Sequence, residues 1–134
     1  MHIVVSRGLV AGLLCAALLG CGEPQVDNRV VASAIAAAQT VEVTVQGRVV
    51  ELLGDGNGAD GPHQRFQLDL GSGVVVEVDH NITLAPRVPV RVGDSVTLHG
   101  ELAPDPGHPV IHYTHHATGR HEGGWITLNG QTYS

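Results

Sequence analysis

Nine histidines stand in a chain of 134 residues, and four of them crowd one segment: His112, His115, His116 and His121. Neutral imidazole is the commonest protein ligand for zinc, copper and nickel. These four are therefore the expected donor set for a transition metal such as zinc. Their spacing restricts how they can act together. In an extended strand His112 and His116 would lie about 13 Å apart at roughly 3.3 Å per residue, with His115 facing away from both. One ion with bonds near 2 Å cannot use that arrangement. Either the chain leaves strand geometry near His115, or donors such as His63 or His80 arrive from other strands. Ala117–Arg120 offers a turn that could fold His121 back. Two other readings stand beside the metal. The imidazoles can hydrogen-bond backbone carbonyls and carboxylates and so hold a loop-rich end of the domain together. Alternatively, His63, His80, His112 and His116 with Arg87 and Arg120 could form a phosphate-binding, general-base site of the phosphodiesterase kind. No zincin or P-loop spacing supports that last reading, and no catalytic residue is assigned.

The elements that must position these side chains are mostly strands. The large apolar residues are mainly Val and Leu, with Phe66, Trp125, Tyr113 and Tyr133 the only aromatics, a palette suited to β-structure. Val41, Val43 and Val45 alternate with polar residues, and Gly47 is expected to bulge that strand before Val49–Leu53. Asp55–Pro62 reads as a turn-rich loop; its resemblance to a calcium loop fails because the twelfth position is Phe66 rather than Glu. Phe66, Leu68 and Leu70 face inward on a strand over Gln64–Leu70. After Gly71-Ser72-Gly73 comes a partner strand with Val74, Val76, Val78 and His80 on one face and Val75, Glu77 and Asp79 on the other. Asn81–Val92, with Pro86 and Pro89, is an irregular crossover. Asp94–Leu102 forms a strand that turns His99 to solvent, and Val110–His115 another. Trp125–Leu128 and Gln131–Tyr133 make a hairpin through Asn129-Gly130. A helix from Asp27 or Asn28 to about Gln39 precedes them all. The expected architecture is mainly β: a small OB-like Greek-key barrel of five or six strands with one short N-terminal helix, forming a single domain over residues 28–134.

The N-terminus carries an address. Met1–Arg7 ends in a positive charge and Leu9–Leu19 is apolar or small throughout, the pattern of a secretory signal over residues 1–20. Eleven helical residues reach only about 16 Å, short of the roughly 30 Å hydrocarbon core. Leu18-Leu19-Gly20-Cys21 resembles a lipobox, which implies lipidation of Cys21, a lipidated tether over residues 21–27 and a membrane partner held by acyl chains. Gly22, rather than Asp, after the cysteine resembles the sorting signal for the outer membrane, facing the periplasm. Both cysteines lie in the first 21 residues, so no disulfide is expected in the domain. All seven basic residues are Arg against thirteen acidic ones. Such an acidic domain cannot gather counterion-release energy, so no nucleic-acid partner is expected.

His63-Gln64-Arg65-Phe66, His80-Asn81, Leu84-Ala85-Pro86-Arg87, Gly93-Asp94, Gly100-Glu101, Ile111-His112 through His116, His121 and Gly124-Trp125-Ile126 together resemble a bacterial family of short exported proteins classed as a domain of unknown function. The family's pattern has Trp at the position of Tyr113 and Asp-Pro at Ala117-Thr118. The resemblance implies no activity. It does imply a polar signature of His63, His80, Asn81, Arg87, His112, His115, His116, His121 and Trp125, with Trp125 read as a packing residue. The resulting expectation is an envelope lipoprotein with a non-enzymatic domain that binds a small ligand or metal, or meets another envelope protein, at a histidine-rich end.

Overall fold

Strict alternation of Val with polar residues drives β1 (Val41–Leu52), whose inward Val43, Val45 and Val49 are fully or nearly fully buried. In the computed structural model, which describes residues 24–134, β1 is long enough to serve two neighbours. Its first part pairs antiparallel with β5 (Ser95–Ala103), and its last part with β3 (Gly61–Asp69), the exchange falling at Arg48. Gly47 does not bulge: the ladder to β5 runs through it in register, and the irregularity lies between Val49 and Glu51. Gly47 instead permits a close crossing. A Cβ there would lie 2.6 Å from the Asp69 carbonyl oxygen and 2.8 Å from Leu68 Cγ, so two strands can pass only where the side chain is missing.

The expected loop at 55–62 is partly strand. β2 (Gly56–Gly58) folds back on β3 as a short hairpin, which starts β3 three residues early. β3 then pairs antiparallel with β4 (Val75–Asn81), and the alternation holds: Phe66, Leu68, Val76, Val78 and His80 are all buried. β4 pairs parallel with β6 (Val110–His112), and β6 pairs antiparallel with β5. The order β1–β3–β4–β6–β5 thus returns to β1, a closed ring of five strands with one parallel pair. This is an OB-like barrel, and closure leaves the ring no free edge. β7 (Trp125–Leu128) pairs with β5 and with β8 (Gln131–Tyr133). Asn129 and Gly130 both have positive φ, as the two-residue turn between them requires.

α1 (Asn28–Ala36) buries Val31 and Ala34 against the barrel core. It is three residues shorter than expected because Ala38 turns left-handed, φ 52°, to swing the chain into β1. Neither expected cap closes the helix with its side chain. Asn28 reaches across to Gln46, donating to its carbonyl at 2.7 Å and accepting from its N–H at 3.0 Å. Asp27 accepts from Thr44 N–H at 3.4 Å. The polar residues that were to start the helix stitch it to β1 instead. Among the described residues no helix is long and apolar enough to cross a membrane. The signal segment, the lipobox and Cys21 lie outside the described residues.

Candidate functional site

β6 and β7 lie on the same side of β5, β6 opposite Glu101–Ala103 and β7 opposite Val96–His99. They act as one strand interrupted by an excursion over residues 113–124. β6 ends at His112 rather than His115 because Tyr113 takes a positive φ of 57° and leaves the sheet. The excursion closes where Gly124 N–H donates to the His115 carbonyl at 2.7 Å. A Cβ on Gly124 would collide with the carbonyl oxygens of Tyr113 and His99, and one on Gly100 with that of His112. Two glycines therefore set the narrow neck from which the histidines project.

The sequence-predicted residues divide into two groups. His80 is fully buried. Its Nε2 meets the Pro86 carbonyl at 3.0 Å, and its Nδ1 meets the Thr114 hydroxyl at 2.8 Å. A carbonyl only accepts, so Nε2 carries the proton and Nδ1 accepts from Thr114. Burial holds the His80 pKa below the usual histidine value despite the Pro86 contact. Asn81, also buried, donates to the Asp60 carbonyl and accepts from the N–H groups of Thr83 and Leu84. Gln64 grips Val88, donating to its carbonyl at 2.7 Å and accepting from its N–H at 2.9 Å. Arg87 stands apart. It pairs with Asp55 through two hydrogen bonds of 3.0 and 2.5 Å at an exposed position, and that bond lowers the Asp55 pKa. These four brace the crossover and loops.

The second group gathers around a cleft of about 310 Å³ between the β2–β3 hairpin, the outer faces of β3, β4 and β6, and the start of the excursion. His63, His112, His115, Tyr113, Arg65, Asp79 and Glu101 line it. An adjoining depression takes in Tyr113, His115, Arg120 and His121. The rings are close. His121 stacks on Tyr113 with centroids 4.3 Å apart, His115 meets His121 edge-on at 4.7 Å, and His112 lies 6.0 Å from Tyr113. His116 is exposed beside His115, at 5.8 Å. Three of these imidazoles share one device. His63 Nδ1 meets the Gly61 carbonyl at 2.8 Å, His115 Nδ1 the His116 carbonyl at 2.9 Å, and His121 Nδ1 the Glu122 carbonyl at 2.6 Å. Each Nδ1 must therefore be the donor, which leaves Nε2 of the neutral ring as the lone-pair atom; in His121 that atom meets the Thr118 hydroxyl at 3.3 Å. Burial lowers the pKa of both His112 and His115, further lowered at His112 by His63, so these two rings are uncharged acceptors at neutral pH.

Carboxylates complete the lining. On the outer face of β4, Glu77 and Asp79 compete for one environment. Burial alone would raise Glu77, but the His108 bond at 2.5 Å and the interaction with Asp79 outweigh it, and its pKa falls. Asp79, buried and beside that anion, is pushed up to about 7. Its Oδ1 and Arg65 Nε are buried without a hydrogen-bond partner, although Arg65 Nε lies 3.4 Å from Glu77 as an ion pair.

The expected metal set is not preassembled. Among the described residues the one group of three or more His, Cys, Asp or Glu donors lying mutually within 4.8 Å is Glu42, His99 and Glu122. His112, His115, His116 and His121 do not form such a group. His99, expected to face solvent, is instead held between Thr44, 2.8 Å from Nδ1, and Glu122, 2.6 Å from Nε2. Burial, then Glu122, raises the Glu42 pKa. Alternation correctly placed His99 outside the barrel; finding its partners needed the β1–β5 register and the return of the excursion.

No curated protein and no solved structure matches this chain. A family model does, over residues 18–134: the chain belongs to the family described as Protein of unknown function (DUF3465).

Proposed function

We propose that this is an envelope lipoprotein, exported by its signal segment, held through lipid on Cys21 at the outer membrane and facing the periplasm, whose barrel is a non-enzymatic binding module for a small organic cation. The observation that carries the ligand class is the set of carbonyl-locked imidazoles. His63 and His115 present Nε2 lone pairs beside Asp79, Glu101 and Asp60, an acceptor-rich lining whose cation, Arg65, is paired with Glu77. A ligand rich in N–H donors satisfies it. A single ion with bonds near 2 Å cannot reach rings whose donor atoms are spread more widely, whereas a molecule of several atoms can. The phosphodiester reading finds no unpaired cation in the cleft itself, where Arg65 pairs with Glu77; Arg87 is held by Asp55, and Arg120 lies in the adjoining depression.

Spermidine and inorganic phosphate, titrated calorimetrically against the full chain in detergent, separate these ligand classes. Spermidine is expected to bind, and His115→Ala to weaken it about tenfold, the loss of roughly one charge-assisted hydrogen bond. Binding of phosphate in place of spermidine overturns the ligand class. The anchor has its own test: Cys21→Ser should release the protein from the membrane fraction, and a variant that stays fully bound refutes lipid attachment.

A further inference from the structure

We infer that Glu42, His99 and Glu122 form a divalent-cation site, separate from the cleft, whose donor set fits an ion of the zinc type. The three come from different parts of the chain: Glu42 from β1, His99 from β5, and Glu122 from the end of the excursion. Their ligand atoms already lie mutually within 4.8 Å. His99 Nε2 is 2.6 Å from Glu122 Oε1 and 3.6 Å from Glu42 Oε2. An ion with bonds of about 2.0–2.2 Å to imidazole nitrogen and carboxylate oxygen needs only small side-chain shifts to sit among them. One imidazole with two carboxylates suits a borderline cation better than a purely hard or soft one.

Two features beyond the donors point to a cation. The first is an outer partner. His99 Nδ1 lies 2.8 Å from Thr44 Oγ1, and a hydroxyl can donate to a bare Nδ1 or accept from Nδ1–H. When an ion replaces the Nε2 proton, the ring can carry its proton on Nδ1 without losing this bond, the arrangement that orients metal-bound histidines. Trp125 stacks on the same ring, centroids 6.3 Å apart at 22°, and restrains its plane. The second is uncompensated charge. Glu42 and Glu101 are directly opposite across the β1–β5 ladder, a like-charge pairing that destabilises a sheet. Glu122 and Glu101 both push the Glu42 pKa up, and among the described residues the one basic side chain within ion-pair distance of it is His99, which Glu122 shares. A bound cation converts this repulsion into coordination. It also ties the end of the excursion to β1 and β5, next to Gly123 and Gly124, and so fixes one flank of the loop that carries His115 and His121.

Zinc chloride is titrated against the full chain in detergent, with the unfolding midpoint followed in parallel. The expected result is one ion per chain, a midpoint that rises with zinc, and affinity weakened about tenfold or more by Glu122→Gln and by Thr44→Val. His116→Ala, at an exposed position outside both sites, should bind as the unaltered chain does. Glu122→Gln replaces an exposed side chain with one of the same shape, so the variant should still fold. Absence of zinc binding, equal affinity in Glu122→Gln, or loss of the ion in His116→Ala overturns the site. Spermidine binding in the cleft is read separately and survives any of these outcomes.

Discussion

His80 and His115 are both buried histidines on one side of the same small barrel, yet one is closed and the other is open. His80 has both ring nitrogens occupied, by Pro86 and by Thr114. His115 has Nδ1 engaged by the next residue's carbonyl, with Nε2 left as the lone-pair atom at the cleft. The difference is one of backbone supply. Inside the barrel a histidine meets partners contributed by separate segments, here the crossover and the neck of the excursion. On the excursion His115 turns back on a local carbonyl, and that contact determines the tautomer without consuming the second nitrogen. A histidine-rich chain is therefore not one functional unit: His80, with both nitrogens bonded inside the barrel, braces it, whereas His115 keeps one nitrogen for the cleft.

The strongest way to break this comparison is to remove the closed ring and, as a control, an exposed one. His80→Ala deletes a fully buried side chain and strands the Thr114 hydroxyl and the Pro86 carbonyl, a cavity and two orphaned polar groups together. It should lower the unfolding free energy by about 3 kcal/mol in urea titrations. His116→Ala, at an exposed position beyond the cleft, should leave the urea midpoint where it was. If both variants unfold alike, the division between brace and site is wrong.

The alternation of the central strands announced the barrel. Phe66, Leu68, Val76, Val78 and even His80 fall on the inward face as their period of two requires, and Asn129-Gly130 marked its hairpin. What local pattern could not hold is contact made across the ring. Tyr113 breaks β6 because Gly100 and Gly124 allow three backbones to crowd at the neck, and no residue within β6 itself records that crowding. The period placed His99 on the outer face but could not show that Thr44 sits opposite it in β1 or that Glu122 returns beside it. Asp27 and Asn28 have the right types for a cap, but β1 offered them unpaired neighbours first. The clustering of His112, His115 and His121 was legible as a gathering at one pole. Their tautomers were not, because these depend on which carbonyl each ring meets.

A finer version of the same comparison lies in two adjacent residues of β4. His80 points into the barrel and Asp79 out toward the cleft, and their titrations oppose each other. The His80 pKa is depressed by burial below the ordinary histidine value of 6.5. The unfolded chain thus binds the proton more readily, and His80's contribution to stability is complete above 6.5 and lost as pH falls through the folded value. Asp79 is raised from 3.8 to about 7 by burial and by Glu77. There the folded chain holds the proton, so the contribution is complete below 3.8 and lost as pH rises toward 7 and beyond. Just below pH 6.5 the two slopes oppose each other, flattening the unaltered protein's profile. Asp79→Asn removes the falling slope alone. Its unfolding midpoint should gain on the unaltered chain by on the order of 5 °C at pH 8 and by less at pH 5, while the loss on acidification caused by His80 persists. An Asp79→Asn midpoint that tracks the unaltered protein at every pH would mean that Asp79 ionises as freely in the fold as in the open chain, and that Glu77 and its surroundings exert no hold on it.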